Sequence, residues 1–133
     1  MSDIEGRPLA LVIGHKDFAA GMISAVTAIT GRADLFRAMS NYGLDPKAME
    51  ALLRDAIDDG VTTIFSDLPA GSTTMAARRA QRDFPHVTVV TGVSLPVLLD
   101  YAFAAPDAEH AADAAVAKGR AAMMVARGTA RAD

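Results

Sequence analysis

Apolar and polar residues alternate along the chain in segments that predict strands and helices in turn. Leu9–Ile13 is a continuous apolar run that stops at Gly14 and His15, which is typical of a strand buried on both faces of a parallel sheet. The apolar residues that follow recur at helical spacing: Phe18, Met22, Val26 and Ile29. Gly31 comes directly after them and suits the left-handed C-cap of a helix.

The same alternation continues through the middle of the chain. Leu35–Met39 predicts a short second strand, and Asp45 followed by Pro46 predicts a helix start, because Asp caps helices and Pro fits their first position. That helix ends at Gly60 and has one apolar stripe: Met49, Leu52, Leu53, Ala56 and Ile57. Three segments follow: a strand at Val61–Phe65, a helix at Met75–Arg82 and a strand at Val87–Val90.

The last third of the chain is predominantly helical. Ser94-Leu95-Pro96 opens a helix that runs to about Phe103, and Pro106 starts the last helix. Met123–Val125 either extends that helix or forms an edge strand. Strands that alternate with helices predict an α/β fold, an open three-layer sandwich with a mostly parallel four-stranded sheet and helices on both faces. With 133 residues and no linker, we expect residues 1–133 to form a single domain.

Composition and charge narrow the class of protein. The chain is 51% hydrophobic and 22% charged, which favours a packed globular fold. The net charge of −3 comes with no basic stripe, so nucleic acid is not an expected partner. The absence of cysteine excludes disulfides and a thiol nucleophile. The N-terminus is acidic, and the longest uncharged stretch is too short to span a membrane. We therefore expect a cytoplasmic protein without direct membrane insertion.

Two side chains capable of chemistry follow predicted strands. His15 comes after the first strand, and Asp67 follows the Val61–Phe65 strand by one residue. Because ligands of open α/β folds bind outside the carboxyl ends of the strands, these residues are candidates for one site. A carboxylate that accepts a hydrogen bond from one imidazole nitrogen leaves the other free as a nucleophile or base.

A third element is the predicted helix start at Gly71–Thr74, where backbone N–H groups and the helix dipole favour an anionic group. Together the three elements suit phosphoryl transfer through a covalent phosphohistidine. No Gly-rich nucleotide-binding motif and no His-Glu-x-x-His motif occurs. We therefore expect neither a bound metal nor a cofactor.

Three blocks of sequence resemble the mannose-type IIA components of the bacterial sugar phosphotransferase system, especially the branch serving fructose, N-acetylgalactosamine and related sugars. The first block is Val12–His15 with Phe18–Met22, the second is Phe65–Thr73, and the third is Thr91–Leu99. The three blocks follow the family's order and spacing.

The resemblance implies a cytoplasmic homodimer that takes a phosphoryl group from the phosphocarrier protein HPr and passes it to a IIB component for sugar uptake. His15 falls on the phosphorylated position, and Asp67 matches the aspartate that hydrogen-bonds it. Gly71, Ser72 and Thr73 belong to the loop that contacts the phosphoryl group. The family also implies an antiparallel edge strand exchanged between subunits, here Met123–Ala126. The sugar is not specified by this component.

The sequence departs from the family pattern at three positions. Lys16 replaces the usual glycine after the histidine, Ala70 replaces the first of two glycines, and Thr73 stands where proline is common. Lys16 either assists an incoming phosphoryl group or faces solvent. Ala70 is costly if the loop needs a positive φ there. The alternative hypothesis is therefore a degenerate, regulatory protein-binding module with little or no phosphoryl transfer.

Overall fold

A computed structural model describes residues 9–104 and 109–130. Strands and helices alternate over most of this length. The elements in chain order are β1 (Ala10–Gly14), α1 (Phe18–Thr30), β2 (Phe36–Ser40), α2 (Pro46–Asp58), β3 (Thr63–Ser66), α3 (Ser72–Gln81), β4 (Thr88–Val90), α4 (Leu95–Phe103) and α5 (Ala111–Ala122). No helix among these residues is long and apolar enough to cross a membrane.

The four strands form one parallel sheet in the order β2-β1-β3-β4. β1 lies in the interior of the sheet, and all five of its residues are buried. Successive side chains of a strand point to opposite faces. Accordingly, Leu11 and Ile13 pack in one core cluster, and Ala10 and Val12 pack in another. A strand buried on both faces explains the unbroken apolar run in the sequence.

Each core cluster is closed by a different set of helices. One face of the sheet packs against α2 and α3, through residues such as Leu53 and Ala77. The other face packs against α1, α4 and α5, through Val26, Leu98 and Ala115. This arrangement confirms the predicted α/β sandwich with a parallel four-stranded sheet and helices on both faces.

Most element boundaries differ from the predicted ones by one to three residues. α1 ends as predicted at Gly31, which adopts φ 76° and donates its N–H to the carbonyl of Thr27. α2 begins after Asp45, whose carboxylate accepts a hydrogen bond from the Ala48 N–H at 2.8 Å. α3 begins at Ser72, within the helix start predicted at Gly71–Thr74 and three residues before the predicted helical segment Met75–Arg82.

Two predicted apolar stripes are wider than the buried faces. Ile29 and Leu52 were placed on core-facing stripes, but their exposed fractions are 57% and 39%. Ile29 lies in the last turn of α1, and Leu52 lies beside the buried Leu53 at the margin of the α2 face. Helical spacing predicts the direction of a side chain, whereas the extent of the opposing sheet determines its burial.

The C-terminal predictions have mixed outcomes. The predicted start of the last helix at Pro106 lies outside the described residues. α5 ends at Ala122, and residues 123–130 form neither helix nor strand, so Met123–Val125 does not extend the helix within this chain. The same three residues are highly exposed, at 81%, 76% and 76%.

Two glycines provide a matched test of the helix packing. A Cβ on Gly119 of α5 would overlap Val97 of α4, whereas a Cβ on Gly21 of α1 would meet nothing within 4 Å. We expect Gly119→Ala to lower the free energy of unfolding by about 1–3 kcal/mol through overpacking. We expect Gly21→Ala to raise it by about 0.5–1 kcal/mol, because alanine is the better helix former. Urea unfolding of both variants checks this, and equal effects would contradict the close α4–α5 contact.

Candidate functional site

The sheet topology brings His15 and Asp67 to one edge. β1 and β3 are parallel neighbours, and Ile13 of β1 lies opposite Ser66 of β3. The chain leaves both strands at their carboxyl ends, so the residues that follow lie side by side. The 52 positions that separate His15 from Asp67 in the sequence are thus bridged by adjacent strands.

One oxygen of Asp67 accepts two hydrogen bonds from His15. The backbone N–H of His15 lies 2.9 Å from Asp67 Oδ2, and the ring atom Nδ1 lies 2.7 Å from the same oxygen. The Asp67 side chain is only 8% exposed, whereas that of His15 is 45% exposed. The carboxylate therefore lies behind the imidazole, and the ring faces solvent.

The hydrogen bonds keep Asp67 ionised. Burial by itself raises the pKa of Asp67, but hydrogen bonds from the His15 ring, the His15 backbone and the Thr73 hydroxyl outweigh it and lower the pKa below the ordinary carboxyl value. An ionised carboxylate only accepts hydrogen bonds, so the proton of the shared contact lies on Nδ1 of His15. Nε2 then carries the free lone pair of the ring.

Thr73 supports the carboxylate from the opposite side. Its hydroxyl donates a hydrogen bond to Asp67 Oδ1 at 2.7 Å, and the residue is fully buried. The sequence placed Thr73 in the phosphoryl-contacting loop, but the structure directs its side chain to Asp67. Behind it, the buried hydroxyls of Ser66 and Thr74 share a hydrogen bond of 2.7 Å. Both oxygens of Asp67 are therefore held by protein donors.

The start of α3 lies next to this pair. Gly71 is the N-cap residue with φ 108°, and Ser72 is the exposed first residue of the helix rather than its cap. The first bond of the helix runs from the Met75 N–H to the Gly71 carbonyl. The preceding first-turn N–H groups have no intrahelical acceptor, so this end of α3 favours an anion.

Ala70 does not have the backbone strain that its replacement of glycine suggested. Ala70 does not have a positive φ. Among the described residues, Lys16 is the one non-glycine residue that has one. Ala70 is also exposed, so its methyl group displaces no packed neighbour. The left-handed position of this loop is Gly71, where glycine is retained.

A second loop reaches the histidine from β2. The Asn41 N–H donates to the Gly14 carbonyl at 3.1 Å, and Asn41 Oδ1 accepts the Lys16 N–H at 3.0 Å. The Lys16 ammonium lies 4.9 Å from the centroid of the Tyr42 ring. Asn41 and Tyr42 were not identified from the sequence, although they follow the predicted strand Leu35–Met39 by one residue and so lie at the same edge.

The arrangement offers one exposed nucleophilic nitrogen, a buried carboxylate and a helix N-terminus. Among the described residues, no group of three or more His, Asp or Glu side chains is placed to hold a metal ion. The chemistry that these residues can supply themselves is attack by Nε2 of His15 on an electrophile that carries negative charge.

Comparison with protein families identifies the chain. The model of a family described as the PTS system fructose IIA component matches residues 10–119. The chain belongs to this EIIA-man family. His15, Asp67 and the start of α3 all lie within the matched residues. No curated protein matches the sequence of this EIIA-man chain.

Solved structures of other IIA proteins share the fold. A mannose/sorbose-specific IIA subunit from Enterococcus faecalis is 17% identical, with a TM-score of 0.79 over 95% of this chain and 99% of that one. An EIIA component from Streptococcus agalactiae is 15% identical, with a TM-score of 0.79 over 87% and 95%. A IIA protein associated with the fucose utilization operon of Streptococcus pneumoniae is 20% identical, with a TM-score of 0.76 over 90% and 93%.

The lowered pKa of Asp67 predicts how acid affects the EIIA-man chain. Above the ordinary carboxyl pKa of about 4, Asp67 is ionised in both the folded and the unfolded state, and its contacts stabilise the folded one. As the pH falls through that value and then through the lower folded-state pKa, this stabilisation is lost. We expect the advantage of wild type over Asp67→Asn in free energy of unfolding to be constant near neutral pH and to shrink below about pH 4. Urea unfolding across pH 3–7 measures it; an advantage that grows with acid would refute this assignment.

Proposed function

We propose that this EIIA-man protein is a phosphoryl carrier of the sugar phosphotransferase system, which accepts a phosphoryl group from HPr on His15 and passes it to a IIB component for sugar uptake. The observation that carries the proposal is the contact between Nδ1 of His15 and the ionised Asp67. In the neutral imidazole this contact places the proton on Nδ1 and leaves the lone pair on Nε2, which is directed away from the buried carboxylate.

The transfer exchanges one P–N bond for another. The lone pair of His15 Nε2 attacks the phosphorus of phosphorylated HPr, and the P–N bond of the donor breaks with its electron pair returning to the donor histidine. The proton on Nδ1 stays in the hydrogen bond to Asp67, which offsets the positive charge that develops on the ring. In the second transfer a nucleophile of the IIB component attacks the phosphorus, and the P–N bond to Nε2 breaks with its electron pair returning to the ring of His15.

The helix start suits the moving group. Phosphoryl transfer depends mainly on positioning and on stabilising charge over the phosphoryl oxygens. The N–H group of Ser72 at the N-terminus of α3 and the exposed Ser72 hydroxyl are suitable donors, whereas the buried Thr73 acts through its hydrogen bond to Asp67. Gly71 provides the left-handed cap that begins the helix at this point. The proposal takes residues 1–133 as one IIA-type domain that works in the cytoplasm without its own cofactor.

The regulatory alternative has less support than the carrier. It depended on an impaired loop, and Ala70 was the residue expected to impair it. Ala70 is exposed and has no positive φ. The presence of alanine in place of glycine at position 70 therefore gives no reason to expect a loss of phosphoryl transfer. The regulatory module becomes the favoured hypothesis if His15 is not phosphorylated in the experiment below.

Intact-mass measurement tests the carrier directly. After incubation with phosphoenolpyruvate, enzyme I and a cognate HPr, we expect one acid-labile phosphoryl group on wild type and none on His15→Ala. We expect Asp67→Asn to be phosphorylated at least about 100-fold more slowly, because it disturbs the tautomer that frees Nε2. His110→Ala, at an exposed histidine of the α5 N-terminus, is the matched control and should be labelled like wild type. If folded wild-type protein carries no phosphoryl group after this incubation, the carrier hypothesis is wrong and the regulatory module becomes the favoured function.

The homodimer is part of the same proposal, with Met123–Ala126 as the strand exchanged between subunits. β4 is an edge strand, and a groove of about 380 Å³ lies beside it against α5, lined in part by Thr88, Val90 and Arg120. Met123 leaves α5 with an extended backbone, and Met123–Val125 is highly exposed. Exposed edges and apolar segments of this kind favour pairing with another chain.

Light scattering after size exclusion tests the exchange. We expect a variant carrying both Met123→Asp and Met124→Asp to be monomeric at concentrations where wild type is a dimer, since charge opposes burial of these side chains. Ile29→Asp, at an exposed apolar residue of α1, should remain dimeric. A monomeric wild type, or a double variant that stays dimeric, would argue against exchange of this segment.

A further inference from the structure

The residue after His15 has an unusual backbone for its type. Lys16 has φ 49°, the one positive φ among the described residues other than glycine. A hydrogen bond of 3.0 Å from the Phe18 N–H to the His15 carbonyl closes a turn, with Lys16 and Asp17 as its central residues. Asp17 has φ −92°, and a positive φ followed by a negative one is the pattern of a type II′ turn, which favours glycine at the first position. A lysine here therefore carries a conformational cost.

Two hydrogen bonds hold Lys16 in this conformation. Its N–H donates to Asn41 Oδ1 at 3.0 Å, and the Asn41 N–H in turn donates to the Gly14 carbonyl at 3.1 Å. The loop after β2 thus fixes the turn that carries both His15 and Lys16. Unfavourable backbone conformations that are fixed by their surroundings cluster at functional sites.

The side chain of Lys16 has only a weak partner. Its ammonium lies over the ring of Tyr42, which is 71% exposed. No carboxylate of residues 9–104 or 109–130 forms an ion pair with it, and Asp67 is already occupied by His15 and Thr73. A cation–π contact at an exposed site is weak, so the ammonium is easily released to a stronger anion.

The ammonium is within reach of the neighbouring imidazole. Consecutive Cα atoms are about 3.8 Å apart, and lysine carries its charge on a flexible four-carbon stem. The exposed face of His15 is the face that carries Nε2, because Nδ1 is held by the buried Asp67. A dianionic group on Nε2 would be the strongest anion near Lys16.

We propose that Lys16 is a phosphoryl-binding residue: its ammonium leaves the ring of Tyr42 and pairs with the oxygens of a phosphoryl group on Nε2 of His15. This inference rests on the proposed function of His15. No covalent bond forms or breaks in this step, and the ammonium keeps its three protons. Lys16 thereby adds a positive charge to a site whose other donors are neutral N–H and O–H groups.

A small phosphoryl donor separates this inference from the choice of protein partner. Phosphoramidate phosphorylates accessible histidines without HPr, so it supplies the phosphohistidine whether or not a cognate carrier is at hand. The second ionisation of the phosphoryl group is then followed by phosphorus NMR in wild type, Lys16→Gln and Lys16→Arg. Lys47→Gln, at an exposed lysine of the first turn of α2, makes the same change of charge elsewhere.

We expect the ionisation constant of the phosphoryl group to fall about two- to fivefold in Lys16→Gln, the effect of losing one exposed ion pair. Lys16→Arg and Lys47→Gln should match wild type, because both keep a cation beside His15. Salt at about 1 M should remove the difference, since it screens exposed charges. The other ionisable groups of the three loops around His15 are unchanged in every variant: Asp17, Tyr42, Asp45 and Asp67.

Each other outcome overturns one or both of the two proposals. Equal ionisation constants in wild type and Lys16→Gln overturn the role of Lys16 and leave the carrier untouched. An equal change in Lys16→Gln and Lys16→Arg also overturns it, since shape rather than charge would then be responsible. Labelling of His15 by phosphoramidate but not by HPr overturns the carrier alone. If neither donor labels His15, both proposals are wrong.

Discussion

The carboxylate of Asp67 is the group on which the rest of the site depends. It accepts hydrogen bonds from the backbone and ring of His15 on one oxygen and from Thr73 on the other. These bonds outweigh the cost of burying a charge and keep the pKa of Asp67 low. The ionised carboxylate in turn decides which nitrogen of His15 carries the proton. One buried charge thereby joins two loops and the start of a helix, and gives the imidazole a single reactive nitrogen.

The sheet positions His15 and Asp67 for their hydrogen bonds without further ordering of the backbone. β1 and β3 are buried on both faces, so their positions are fixed by the core and not by the site. His15 and Asp67 follow directly from these strands, and Thr73 lies in the first turn of α3, on the face of the helix that is buried. Under the proposed function, a partner protein can therefore approach His15 at this rigid edge without rearrangement of the fold.

Sequence patterns predicted the architecture well because burial on both faces of a parallel sheet leaves a strong mark. The apolar runs of β1 and β3, and the capping residues Asp45 and Gly31, located their elements within one or two residues. Helix starts made of hydroxyl residues were less clear, as at Ser72, since such residues suit loops equally well. The extent of burial at Ile29 depended on tertiary contacts that no local pattern contains.

The candidate site was only partly visible in the sequence. His15 and Asp67 were identifiable because both stand at strand ends. The resemblance to IIA proteins then implied the role of each. The orientation of Thr73 toward Asp67 was not predictable, because an exposed loop hydroxyl and a buried one look alike in sequence. Asn41 and Lys16 meet only through the packing of two loops. Their contact shows that the backbone at position 16, where the family pattern has glycine, is held by specific hydrogen bonds.

The central claim is that Asp67 holds Nδ1 of His15 and leaves Nε2 to react. Nitrogen-15 labelling of the histidines, followed by NMR of the phosphorylated protein, shows which ring nitrogen is bonded to phosphorus. We expect a phosphoryl group on Nε2 of His15, with the Nδ1 proton retained in the hydrogen bond to Asp67. A phosphoryl group on Nδ1 would contradict it, because that nitrogen is available only if the contact with Asp67 is broken.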